Sequence, residues 1–316
     1  VTGSPLLGTP YDAAIAGLAR RRAEHPDAVT AAWTARRRRR LLREDGRLLI
    51  IAADHPARGA LAVAGDADAM ASRPDLLRRL AVALSRPGVD GALGTADILE
   101  DLLLLGLLED KVAFGSMNRG GLAGAAYELD DRFTGYTAEA IAANRLEGGK
   151  MLTRICLTDP ASAATLEASA RAVTELADRG LVAMVEPFWS QRSAAGAVRN
   201  LLDPDSVIRS MHVAAGLGAT SAYTWLKLPV VPDMDRVLDA TTLPVLLLGG
   251  DPGERAQEAY AAWAQALASP TALGLVVGRT LLYPADGDVA GAVDRAAALV
   301  HGPGPGHLDP PTKEQS

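Results

Sequence analysis

GGKMLTRICLTDPASAATLEASARAVTELADRGLVAMVE, residues 148–186, holds one full turn of the pattern that decides the fold. An aliphatic run at 151–155 leads to Asp159-Pro160, an N-cap residue with proline at the first helical position. Leu166, Ala170, Val173 and Ala177 then recur at helical spacing, Gly180 supplies a stop, and a second aliphatic run fills 182–185. Strand, helix and next strand in so short a span make the βαβ unit of a parallel sheet.

The same alternation extends in both directions. Further candidate strands lie at 48–53, 91–93, 112–114, 224–228, 245–248 and 274–277, which makes eight in all. They are nearly continuous apolar runs, as strands covered on both faces require. Helix signals fall between them: Pro74 with a close at Pro87-Gly88, Asp203-Pro204, and Asp251-Pro252-Gly253-Glu254. The leucine-rich run from Ile98 to Leu108, interrupted by Glu100, Asp101 and Gly106, reads as an amphipathic or buried helix. A chain of 316 residues could hold two average domains or one α/β barrel. Eight βα units with no linker between them favour a closed (β/α)8 TIM barrel over residues 47–302. Residues 1–46 read as an N-terminal helical extension and 303–316, rich in Pro and Gly, as a flexible tail. Residues 115–137 are long for a βα loop and read as a lid or substrate-binding loop.

Composition narrows the function classes. Apolar residues make up 48% and charged residues 22%, the balance of a soluble globular chain with a sizeable core. The net charge of −6 offers no global attraction for nucleic acid, and no apolar run reaches membrane-spanning length. The expected location is the cytoplasm. The basic run Arg36 to Arg40 reads as the solvated face of an N-terminal helix, with an oligomer contact or a phosphate-steering patch as the alternatives. Cys156, the only cysteine, reads as a buried structural thiol.

Of the 32 lysines and arginines only four are lysine: Lys111, Lys150, Lys227 and Lys313. Where arginine is the default cation, a lysine in an apolar strand calls for a reason. Lys150 lies in the fourth candidate strand and Lys227 in the sixth, with Glu186 ending the fifth. Arginine keeps its proton, whereas a desolvated lysine can lose it and attack a carbonyl to form a Schiff base. Two nearby lysines would lower one another's proton affinity. Glu186 is either an ion-pair partner or the group that protonates a carbinolamine hydroxyl. Asp54 is either a strand-end cap or a group that orients a lysine or a substrate hydroxyl. Other strand ends carry His55, Asn118-Arg119, Gly249-Gly250 and Gly278-Arg279. The last two loops occupy the usual phosphate-binding place of a barrel.

These residues resemble the class I aldolases of the DeoC/LacD type, in particular tagatose-1,6-bisphosphate aldolase, from about residue 48 to 284. The resemblance makes Lys227, in Leu226-Lys227-Leu228-Pro229, the Schiff-base lysine. It makes Lys150 the second active-site lysine, with Asp159 downstream, and Glu186 in Val185-Glu186-Pro187 the acid/base group. Asp54 with His55 and Arg58 matches the first-strand motif, and Gly278-Arg279 the last. Thr153 and Arg154 replace tyrosines of that pattern, and Pro229 stands where it has an acid. The whole chain is more similar to the actinobacterial Cgl0159-like family of (β/α)8 proteins, through Phe114-Gly115-Ser116-Met117-Asn118-Arg119-Gly120-Gly121-Leu122 and Asp130-Asp131-Arg132-Phe133-Thr134-Gly135. That family is associated with inositol breakdown, and the association implies 2-deoxy-5-keto-gluconate 6-phosphate as substrate, with deoxyribose 5-phosphate as the alternative.

Other classes fit less well. Of His25, His55, His212, His301 and His307 only His55 falls at a strand end, so no metal site is expected. Asp54-His55-Pro56-Ala57-Arg58-Gly59 is not a dinucleotide fingerprint, and no cofactor is expected. A non-catalytic sugar-phosphate-sensing barrel is the remaining alternative. The expected partners are a small-molecule sugar phosphate and other copies of the chain in a homo-oligomer, with neither nucleic acid nor membrane.

Overall fold

The structure, a computed structural model, describes residues 9–194, 196–249 and 256–302. The expected tail, Gly250 and the expected helix start at 251–254 lie outside the described residues. The strands are β1 (Leu48–Ala52), β2 (Gly91–Gly94), β3 (Val112–Ser116), β4 (Gly148–Ile155), β5 (Val182–Arg192), β6 (Val198–Asn200), β7 (Thr224–Pro229), β8 (Val245–Leu248) and β9 (Ala272–Val277). All but β6 pair in parallel with their neighbours, and β9 returns to β1 to close an eight-stranded barrel. Helices connect the strands on the outside, so the chain is the (β/α)8 barrel that its alternation predicts. β6 is the element without an apolar run. It pairs antiparallel with the end of β5, Ser190 opposite Asn200, and extends the wall above the barrel rim.

Alternation along each strand sorts the side chains. Leu48, Ile50 and Ala52 join Leu93, Val112, Phe114, Met184, Trp225, Leu246 and Val276 inside the barrel. Leu49 and Ile51 face the helix layer, where the larger apolar cluster lies. The same parity carries the polar residues inward. Glu186 is two residues beyond Met184 and Lys227 two beyond Trp225, and Met184 pairs with Trp225, so the two lie level. Lys150 pairs with Met184 itself and therefore sits one layer deeper, against the apolar plug.

The N-terminal extension forms two helices, Asp12–Glu24 and Ala28–Ala35, and buries Ile15, Leu18 and Trp33 in the outer core. The arginine run corrects its sequence reading. The helix ends at Ala35, and residues 36–40 cross the N-terminal end of the barrel as an extended strap. Arg36 is buried, donates to the carbonyls of Lys111 (2.8 Å) and Arg145 (2.6 Å), and lies 3.4 Å from Glu147. Arg38 donates to Glu147 at 2.8 Å, and Arg39 and Arg43 both donate to Asp90 at 2.7 Å. The cause lies in those carboxylates. Asp90 accepts the backbone N–H of Leu49 at 2.8 Å and Glu147 that of Ala113 at 2.6 Å, so each is fixed below a strand and needs a cation.

At the opposite end, the segment after β3 folds back on itself through an antiparallel bridge between Asn118 and Phe133. Arg154 holds it with a two-pronged bond to Asp131, 2.8 Å from Nε and 2.7 Å from Nη2. Gly121 permits this closure: a Cβ there would meet the Glu128 carbonyl oxygen at 2.2 Å and Asp131 at 2.8 Å. Among the described residues no helix is long and apolar enough to cross a membrane.

Candidate active site

The C-terminal ends of the strands open on a cavity of about 1110 Å³, where active sites of this fold lie. Lys227 and Glu186 are on its floor, with Asp54, His55 and Arg119 beside them. Glu186 joins the two lysines. Its Oε1 is 2.8 Å from Lys227 Nζ, and its Oε2 contacts Lys150 Nζ. Lys150 Nζ is also 3.2 Å from Asp54 Oδ2, which accepts the Ser116 hydroxyl at 3.2 Å and contacts the Arg119 guanidinium. Five charged side chains from five segments thus form one continuous buried network.

Burial governs the proton affinities. Loss of hydration pulls the Lys150 ammonium well below the ordinary lysine value, reinforced by Arg119 and partly opposed by Glu186. Lys227 is lowered by the same desolvation, against the pull of Glu186. Burial would raise the Glu186 carboxyl, but Lys150, Lys227 and Arg119 together hold it below the usual carboxylate range. His55 is pushed down to about 3 by burial and by Arg279 and Lys227, which favours its neutral imidazole. Even Arg119 is lowered, to about 10, by its burial.

Most of the strand-end candidates meet here. Arg58, Gly249, Gly278 and Arg279 line the cavity with the residues above. Gly278 approaches closely: a Cβ would meet the Ala52 carbonyl oxygen at 2.3 Å and the His55 ring at 3.3 Å. Lys150 does not reach the cavity and has no exposed surface, in keeping with its deeper layer. Asn118 is not in the cavity either. Its amide bonds both backbone groups of Leu152 (2.6 and 2.7 Å) and the Asp131 carbonyl (3.1 Å), which fixes the loop to β4. Asp159 pairs with Arg192 at 2.9 Å, away from the lysines.

Sequence reasoning passed over Ser116, Phe188 and Asn200. Ser116 bonds Asp54, and Phe188 and Asn200 line the cavity wall. Parity along β5 carries Phe188 inward two residues beyond Glu186. Asn200 has no such signal, because β6 is polar and short. The Glu128 link between Arg154 and Arg58 was equally silent: Glu128 Oε1 lies 3.2 Å from Arg154 and 3.0 Å from Arg58, so the loop that brings Arg119 also holds Arg58.

A model of the Cgl0159-like family matches residues 46–297. The chain belongs to the Cgl0159-like family. Its structure is similar to the crystal structure of Cgl0159 from Corynebacterium glutamicum, with 55% identity and a TM-score of 0.89 over 93% of this chain and 98% of that one. It is also similar to an archaeal fructose-1,6-bisphosphate aldolase whose catalytic lysine is covalently bound to the carbinolamine intermediate, at 19% identity and TM-score 0.62 over 86% and 99% of the chains. A fructose-bisphosphate aldolase from Slackia heliotrinireducens matches at 17% identity and TM-score 0.57 over 90% and 92%. These two likenesses extend to the fold, which this Cgl0159-like protein shares with Schiff-base aldolases. No curated protein matches the sequence.

Proposed function

We propose that this protein is a metal-independent class I aldolase acting on a phosphorylated keto-sugar or sugar acid. The observation that carries the reading is Lys227 Nζ on the cavity floor, 2.8 Å from a carboxylate that also holds a second buried lysine. Neutral Lys227 attacks the substrate carbonyl carbon. The alkoxide takes a proton from solvent to become a hydroxyl. The new ammonium gives a proton to Glu186, which passes it to that hydroxyl so that water leaves and an iminium forms. Glu186, ionised again, takes the proton of the hydroxyl on the carbon β to the iminium carbon as the bond between the α and β carbons breaks. The iminium accepts the electron pair, giving an enamine and an aldehyde. Protonation of the enamine and hydrolysis then restore Lys227. Lys150, itself held by Asp54, keeps Glu186 ionised and in place between turnovers. Gly278 and Arg279, near the rim, are suited to a phosphate.

Within this class the substrate reading is 2-deoxy-5-keto-gluconate 6-phosphate, split to dihydroxyacetone phosphate and malonate semialdehyde in inositol breakdown. The test is borohydride reduction in the presence of dihydroxyacetone phosphate, and separately of acetaldehyde, followed by peptide mass analysis. A ketone-phosphate adduct on Lys227 is expected. An adduct with acetaldehyde alone would transfer the reading to deoxyribose 5-phosphate, and folded protein with no adduct to either would sink the mechanism.

A further inference from the structure

Buried charge in the network does not balance if every amine is protonated. Asp54 follows β1, Arg119 comes from the segment after β3, and Lys150, Glu186 and Lys227 come from β4, β5 and β7. Asp54 and Glu186 supply two carboxylates, while Arg119, Lys150 and Lys227 supply three sites for positive charge. Asp233 and Glu258, on the cavity wall, are exposed to solvent and are not part of the buried network. Arg58 and Arg154 are matched by Glu128 and Asp131. His55 is held toward its neutral form, and Arg279 lies further out on the cavity wall. An excess buried cation is costly, and the cheapest remedy is to release a proton. Arginine does not release one at working pH, so the proton leaves the lysine pair.

We propose that Arg119 is a positioning residue that keeps the Lys150–Lys227 pair one proton short at neutral pH. It does so by occupying Asp54 with a charge that is kept at neutral pH. Without it, two carboxylates would match two ammonium groups, and no neutral amine would be available. Glu186 touches both amines, so the pair titrates as a unit and the missing proton can be taken from either side. Only Lys227 reaches the cavity, and its neutral form is the one that meets a carbonyl. Arg119 thereby acts through Asp54 and the lysines, not by holding a substrate phosphate. The inference rests on the reading of Lys227 as the amine nucleophile.

The experiment measures the reactivity of Lys227 itself as a function of pH. Competitive labelling of the intact protein with trace acetic anhydride, read at the Lys227 peptide by mass spectrometry, needs no substrate. In Arg119→Gln the labelling profile is expected to move to higher pH, with at least about a tenfold lower rate at pH 7 and the same plateau at high pH. Asp54→Asn is expected to move the profile the other way, because it removes a carboxylate and leaves three cation sites facing one. That second variant keeps the inference testable if Arg119→Gln does not fold. Profiles that superimpose on the parent protein's in each folded variant would overturn it. So would an Arg119→Gln protein that differs only in the dihydroxyacetone phosphate concentration needed for trapping, since that is the mark of a phosphate ligand. If the parent protein labels at Lys227 with a depressed profile but forms no adduct with any carbonyl, the aldolase reading fails while the charge inference stands.

Discussion

The two ends of this barrel bury the same kind of charge and treat it differently. At the base, Asp90 and Glu147 face Arg36, Arg38, Arg39 and Arg43, and the single lysine there, Lys111, bonds the Val89 carbonyl at 2.5 Å. At the mouth, Asp54 and Glu186 face Lys150 and Lys227, with Arg119 as the arginine within that network and Arg58 and Arg279 on the cavity wall around it. Guanidinium groups keep their protons and reach several acceptors at once, which suits a strap that ties the N-terminal extension to strand starts. Ammonium groups in a dry pocket can give protons up, which suits a nucleophile. Residue choice thus separates an end held by arginines from one built around two buried lysines, in a chain where arginine is otherwise the default.

The sharpest way to break this contrast is to bring the chemistry of the base to the mouth. Lys227→Arg keeps the positive charge beside Glu186 and removes the option of neutrality. We expect the borohydride adduct to vanish and turnover to fall by about 10³-fold or more, while the folded state survives by circular dichroism. Retained adduct at another lysine would assign the nucleophile to Lys150 and overturn the distinction drawn between the layers.

The reciprocal change is Asp90→Asn at the base. It leaves Arg39 and Arg43 facing an uncharged amide and should cost about 3–5 kcal/mol of stability, as loss of one partner of a buried pair does. Denaturant unfolding measures this. Adduct yield per folded molecule should stay at the parent level, because Asp90 lies at the opposite end of the barrel from Lys227.

Legibility in the sequence follows the same division. Apolar runs and their capping residues announced all eight barrel strands, because strands covered on both faces have no other way to be built. Lys150, Glu186 and Lys227 stood out as polar residues in those runs, and parity explains why they converge. The arginine strap was misread because local composition resembles an exposed helix face. What recruits it is the pair Asp90 and Glu147, more than 45 and 105 residues further along the chain. β6 and the Arg154–Asp131 clamp were silent for a related reason: each is polar, short and defined by the partner it meets in the fold rather than by an apolar pattern of its own.

A smaller effect tests the clamp that presents Arg119. Asp131→Asn removes the charge from a two-pronged bond with Arg154 and should cost about 1–3 kcal/mol. Because the bond ties residues 118–133 to β4, amide hydrogen exchange should rise in that segment more than in the barrel strands. Uniform loss of protection throughout would show that the clamp supports the whole fold and not the loop.

The smallest expected effect is a pH dependence at the base. His301 lies 2.5 Å from Asp45 and 3.0 Å from Asp90. Burial alone would lower its imidazole, but the bonds to Asp90 and Asp45 raise it above the ordinary histidine value. A group raised on folding stabilises the native state fully below its unfolded value, about 6.5, and loses that contribution as pH rises through the folded value. The contribution should be about 1 kcal/mol, because Asp45 is partly exposed and its pair is screened. Thermal unfolding of the parent protein should therefore weaken slightly from pH 6 toward pH 8. In His301→Gln that slope should flatten, with the difference between the two proteins largest at the acid end. A difference that grows with pH instead would mean that His301 enters the fold neutral, and that Arg39 and Arg43 alone balance Asp90.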